Sequence, residues 1–345
     1  MASTSSRRLT VAGALTAALG LAALVWQLRD ISPGEIWDGI YRVRWGFPAI
    51  LALGGLRFAL RAFAWSLCVE PPARLRFGDA FAAVLCGDAI GNLTPLGPIV
   101  SEPAKAAFVR GRLDLAAAIT ALAVENLYYT LSVAAMIAAG TIALLFSFDV
   151  GDEVRSTSEI ALAIIFAMFT VVIWILWRRP ALASRALSAL ARRGAAFVPA
   201  SRLDRVRHLE QEIYSFSSRR PDVLARIVVM EIGFHVLGVL EIYLTLLLLL
   251  DSAPALLLAF VLEGANRLIT VVFKFVPLRV GVDEAGTEWL TQIVGFVPGT
   301  GLQVALVRKA RMIVWAVVGS ALLVRRGLST RRILDDSQLT RVRDI

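Results

Sequence analysis

Apolar runs as long as a bilayer is thick recur along this chain, and no other property narrows its fold as far. A helix needs about 20 predominantly apolar residues to cross a membrane. Such runs lie at about 9–28, 45–69, 115–146, 160–177, 223–250, 255–273 and 302–324. In lipid each backbone N–H and C=O must be satisfied within the protein, so these runs are read as helices. The chain has 345 residues, 57% of them apolar, against roughly 45–50% in soluble domains. The expectation is an all-α polytopic membrane bundle of about 6–8 spans, forming one domain over 1–345. The first run follows Arg7-Arg8 and has no small-residue cleavage site after it, so it reads as a retained anchor helix.

Charge placement agrees with a membrane. The net charge is +9, with 33 Arg and 3 Lys. On a soluble protein that balance would suggest nucleic acid, but here the basic residues flank the apolar runs, as the positive-inside bias requires. Such clusters also attract anionic lipid. Residues 178–222 carry ten Arg against four acids and read as a basic cytoplasmic segment, in part lying along the leaflet. The link 149–159 carries four acids and one Arg, which suits the outside. The tail 326–345 is polar and reads as cytoplasmic, as does the N-terminus. Cys68 and Cys86 lie in apolar runs without a CxxC spacing, and His208 and His235 are the only histidines. Neither a metal site nor another cofactor is expected.

Two of the apolar stretches are broken. Residues 77–110 contain Asn92-Leu-Thr-Pro95-Leu-Gly-Pro98-Ile-Val-Ser101-Glu102-Pro-Ala-Lys105. Backbone freed by proline at membrane depth must be buried in protein or line a cavity, and ionisable groups there are usually functional. Arg74 and Arg76 precede the unit and Arg110 and Arg112 follow it, the signature of a re-entrant hairpin on the cytoplasmic side. Ser101 is expected as an N-cap and Pro103 in the first turn of a new helix, whose N–H groups would favour an anion. Residues 274–297 repeat the theme with Pro277, Gly281 and Glu284. Each break has an Asn upstream (Asn92, Asn266) and a Glu opening the next helix (Glu102, Glu284), which suggests an internal repeat.

The remaining intramembrane charges need partners, at roughly 2.5–3.5 kcal/mol each on insertion scales. Glu263 and Arg267 have the favourable i,i+4 polarity and are expected to pair, and Glu231 and His235 share that spacing. Arg61 is expected to snorkel. Arg57, Glu125, Arg308 and Arg311 have no neighbour of opposite sign and must pair across helices or line a polar cavity.

At these residues the chain resembles the lysylphosphatidylglycerol synthase transmembrane, or flippase-like, family. The resemblance rests on Asn92, Pro95, Glu102 and Lys105, then Glu125, then Pro277, Gly281 and Glu284, with Arg308 or Arg311 as the late intramembrane arginine. Ser101 stands where the family pattern has Gly, Lys105 where it has Arg, and Asn126 where it has Arg. The resemblance implies a lipid-binding or lipid-translocating protein of the plasma membrane of a bacterium. Its headgroup cavity would involve Asn92, Pro95, Ser101, Glu102, Lys105, Glu125, Gly281, Glu284, Arg308 and Arg311. The soluble aminoacyl-transferase domain of bifunctional relatives is not present, so aminoacyl-lipid synthesis is not expected. The partners expected are membrane lipids bearing a phosphate, and no nucleic acid. The competing readings are a lipid-modifying enzyme using Glu284 and Glu288, or a non-catalytic partner of a lipid synthase or glycosyltransferase. Glu102 and Lys105 are expected across a polar cavity from 281–284, near Glu125 and an Arg of the last span.

Overall fold

In a computed structural model, the chain is described over residues 41–94, 97–178, 184–185, 187–189, 200–250 and 252–325. The expected first span, Pro95 and the polar tail lie outside the described residues, as do parts of 178–199. Among the described residues the protein is all-α, without strands. The principal helices are α1 (Phe47–Cys68), α2 (Phe77–Leu93), α3 (Gly97–Phe108), α4 (Leu115–Ser147), α5 (Asp152–Arg178), α6 (Ala200–Arg219), α7 (Pro221–Leu249), α8 (Leu256–Val272), α9 (Val282–Ile293) and α10 (Thr300–Arg325). Four of them, α1, α4, α5 and α7, are long and apolar enough to cross a membrane by length and composition. The starts follow local chemistry. Pro48 and Pro221 occupy the first turns of α1 and α7, where a missing N–H is harmless. Asp114 caps α4 by accepting from the Ala116 and Ala117 amides at 3.0 and 3.3 Å.

The helices fall into two similar halves, α1–α4 and α7–α10. The second and third members have matching lengths, 17 and 12 residues in each half. The packing matches as well. In each half the first helix packs on the second and the second on the third, while α2 rests on α10 as α8 rests on α4. The two first members, α1 and α7, pack on each other and run antiparallel. Arg220, just before α7, donates to the Leu67 and Val69 carbonyls, and Arg42, before α1, donates to that of Leu249. The halves are therefore inverted relative to one another.

Both broken segments fold back as helical hairpins. Gly97 lies against Gly91, and Lys105 and Ser101 against Gly87; Arg112 pairs with Asp79 at the open end. In the second hairpin Gly286 of α9 packs on Ile269 of α8. Close crossings use small residues, as membrane helices without a hydrophobic drive require. Gly140 of α4 meets Gly264 of α8, and Gly319 of α10 meets Leu85 and Ala89 of α2.

Two apolar cores result. One joins the end of α1, α2, α3, the start of α4, the start of α7 and the end of α10. The other joins the end of α7, α8, α9, the start of α10, the start of α1 and the end of α4. Exchanging the halves exchanges the cores. Between them lies a layer of buried charge that includes Arg57, Glu125, Glu241, Glu263, Arg267 and Arg308. The third helix does not begin where Ser101 would cap it. It begins at Gly97, so Ser101 and Glu102 lie inside it and Pro103 is an interior proline.

Candidate functional site

The mid-layer charges form three connected groups. In the first, Arg57 of α1 bonds Glu241 of α7 at 3.2 Å and Glu263 of α8 at 3.1 Å. Arg267 closes on Glu263 through Nε at 2.7 Å, Asn266 donates to the same carboxylate at 3.2 Å, and Arg311 of α10 meets Glu241 at 2.8 Å. The expected Glu263–Arg267 pair is thus formed, and Arg57 and Arg311 pair across helices.

In the second group Arg61 forks onto Glu125 of α4, with contacts of 2.8 to 3.0 Å. Arg61 does not snorkel, because Glu125 faces it across the α1–α4 contact. Asn126 donates to Glu102 at 2.8 Å, and Lys105 donates to the other Glu102 oxygen at 2.7 Å. Asn126 therefore links Glu102 to Arg61, which donates to the Asn126 amide oxygen at 3.4 Å.

The third group lies behind the second break. Gly281 has φ +84° and receives its N-terminal role from Glu284, whose carboxylate accepts from the Gly281 amide at 2.8 Å. Glu284 also pairs with Lys309. Arg279 pairs with Asp283 at 3.2 Å, and Arg308 donates to Thr287 at 3.0 Å. Leu278 and Arg279 both hold positive φ, 50° and 49°, an uncommon conformation for bulky residues that neighbouring contacts must maintain. Glu288 accepts from the Gly299 and Leu302 amides at 2.7 and 2.8 Å and so caps α10.

A polar cavity of about 150 Å³ opens between the two breaks. Asn92, Ser101, Glu102 and Lys105 line one side; Lys274, Val276 and Arg279, from the turn after α8, line the other. Arg61, Asp88, Asn126 and Tyr129 complete the polar wall. Of the ten residues expected in a headgroup cavity, four therefore line it. Glu125 reaches it through Arg61, while Gly281 and Glu284 hold the turn from behind. Arg308 sits further back on Asp283 and Thr287, Arg311 belongs to the first group, and Pro95 is outside the described residues. Four cations face two acids. Asp88 is held by the Asn92 amide at 2.9 Å, and exposed Lys274 makes no ion pair or hydrogen bond among the described residues. Sequence spacing did not single out Asp88, Lys274, Arg279 or Tyr129. The charge of Lys274 beside Pro277 was the signal available for one of them.

The Glu231–His235 pair is not direct. Ser132 of α4 stands between them, 2.8 Å from Glu231 and 3.1 Å from His235.

These features define an integral membrane protein of two inverted helical halves around a small, cation-rich cavity. The family described as lysylphosphatidylglycerol synthase TM region matches residues 11–319, so the chain belongs to it. No curated protein and no solved structure matches the chain.

Proposed function

We propose that this protein binds the phosphate-bearing headgroup of a membrane lipid between its two hairpins and carries it between leaflets. The observation that carries the reading is that four cations line the inter-hairpin cavity, three of them paired with Glu125, Asp283 and Glu102 and the fourth, Lys274 at its edge, without an ion pair among the described residues. A cavity of about 150 Å³ suits a phosphate and its nearest atoms, while acyl chains remain in the bilayer. Hairpins entering from opposite faces, as inverted transporter repeats do, give each leaflet its own approach to one central site. Arg74, Arg76, Arg110 and Arg112 at the open end of the first hairpin favour the cytoplasmic side of the plasma membrane of a bacterium for it. Glu284 caps and pairs within the second break and Glu288 caps α10, contacts that favour a structural part for both carboxylates over the enzyme reading.

Reconstitution into liposomes with fluorescent phospholipids tests the proposal. Leaflet exchange should exceed that of protein-free vesicles, and Lys105→Ala and Lys274→Ala should each cut it about tenfold, the effect of losing one charge-assisted hydrogen bond of ~1.5 kcal/mol. Exchange equal to protein-free vesicles, with the protein folded, overturns it.

A further inference from the structure

A second cavity lies apart from the inter-hairpin site, between α4, α5, α7 and α8. It measures about 950 Å³, the upper end of ordinary ligand sites at roughly 300–1,000 Å³. Its wall is almost wholly apolar, with Leu131, Met136, Phe169, Val236, Leu240 and Phe260 among the residues that form it. Among the described helices α5 packs to any extent on α4 alone, which leaves the groove open among the described residues. The polar exception is the cluster Ser132, Glu231 and His235. Tyr129, which lines the cation-rich cavity, packs against Phe234 with ring centroids 5.5 Å apart, and Phe234 in turn packs against His235 of this cluster.

Hydrogen counting fixes what the cluster needs. The Ser132 hydroxyl lies 2.8 Å from the Tyr129 carbonyl, 2.8 Å from Glu231 Oε2 and 3.1 Å from His235 Nε2. It has one hydrogen, and the carbonyl and carboxylate are both acceptors. With Glu231 ionised that hydrogen goes to one of them, and His235 Nε2 then donates to Ser132 Oγ. The other nitrogen of the neutral ring, Nδ1, then carries a lone pair. Nδ1 is buried with no hydrogen-bond partner among the described residues, in a residue 8% exposed. A buried polar atom left so is unfavourable, and in this tautomer the group that relieves it is a donor.

We infer that this groove binds a neutral lipid alcohol, its hydroxyl donating to His235 Nδ1 and its hydrocarbon lying along α4 and α7. Charge selects the class. Among the described residues the wall contains one acid, Glu231, and no Lys or Arg. A phosphate here would meet a carboxylate and no cation, so phospholipids are disfavoured by charge as well as by desolvation. An ammonium headgroup would suit Glu231, but in an ethanolamine phospholipid it brings a phosphate within a few bonds. The inter-hairpin cavity has the opposite balance, so the two sites take different lipids.

The experiment uses the full chain in lipid nanodiscs and a diacylglycerol carrying a photoreactive group in one acyl chain and an alkyne handle. After irradiation and digestion, adducts should map to groove residues such as Leu131, Val236 and Leu240. Unlabelled diacylglycerol should compete at about a tenfold lower concentration than phosphatidylglycerol or phosphatidylethanolamine of the same chains. His235→Phe keeps a ring and removes the nitrogen, and should weaken labelling by roughly 3- to 10-fold, the value of one neutral hydrogen bond. Adducts elsewhere, equal competition by the phospholipids, or unchanged labelling of a folded His235→Phe protein each overturns the inference. Should that variant not fold, the competition ratio in the unaltered chain decides alone. Leaflet exchange of phospholipid is a separate readout, so failure here and failure of the transport reading are distinguishable.

Discussion

Arg57 is the residue through which the two halves share charge. It touches Glu241 and Glu263, yet each of those acids also has an arginine of its own, Arg311 and Arg267 respectively. The group thus holds three arginines and two glutamates, which makes its members unequal. Removing Arg57 leaves two matched pairs, whereas neutralising Glu263 leaves Arg57 and Arg311 sharing Glu241 and strips Arg267 of its carboxylate. Breaking a buried pair by removing one partner costs about 3–5 kcal/mol. Glu263→Gln should therefore lower thermal stability in detergent clearly, by an amount in that range, and Arg57→Met should lower it less. A ranking in the other order would show that Arg57, not Glu263, is the irreplaceable charge. The pairs within one helix were legible in the sequence, because i,i+4 spacing fixes a shared face. The partners of Arg57 and Arg61 were not: they lie 64 to 206 positions away, and spacing tells which residues share a face without telling what packs on it. The same limit hid Ser132, which turned an expected Glu231–His235 contact into a bridged one.

At the level of elements, the breaks were visible because proline, glycine and charge interrupt otherwise apolar runs. The start of α3 was not. Ser101 followed by Glu102 and Pro103 has the composition of a helix entry, but the helix already runs from Gly97. Packing rather than capping sets that start. A Cβ on Gly97 would fall 1.9 Å from the Gly91 carbonyl oxygen, so only glycine lets the hairpin close there. Gly319 is constrained in the same way, with a Cβ placed 2.3 Å from the Leu85 carbonyl oxygen where α10 crosses α2. Both contacts are with backbone, which cannot swing aside as a side chain does. Gly97→Ala and Gly319→Ala should each destabilise the protein by about 1–3 kcal/mol, the usual cost of overpacking. Gly111→Ala, in open space between α3 and α4, should leave the melting temperature unchanged. Purified variants compared by thermal melting check all three, and an equal loss at Gly111, where restricting the unfolded chain would if anything stabilise, would overturn close approach as the cause.

Across the whole molecule, inversion of the halves makes a demand on topology that no single helix does. If α1 and α7 run in opposite directions through the membrane, each hairpin begins and ends on one face, and the two hairpins use opposite faces. The repeat was readable only faintly, from an Asn before and a Glu after each break. Those residues are not equivalent by position: Asn92 is the sixteenth residue of α2, whereas Asn266 is the eleventh of α8. What the halves share is architecture, with equal helix lengths and exchangeable cores, and architecture survives changes that erase motifs. Both Asn side chains do donate to a carboxylate one turn earlier, Asn92 to Asp88 and Asn266 to Glu263. Side-specific labelling tests the arrangement directly. Cys68 and Cys86 are buried, so single exposed cysteines report on their own positions. Arg74→Cys and Gly111→Cys flank the first hairpin, and Ser252→Cys and Val297→Cys flank the second; all four positions are exposed. In sealed vesicles of known orientation, a membrane-impermeant maleimide should modify the first two from one side and the last two from the other. Modification of Arg74→Cys and Gly111→Cys from opposite sides would make α2–α3 a crossing rather than a hairpin that turns back. The two approaches to a shared cavity, on which leaflet-to-leaflet movement depends, would then be lost.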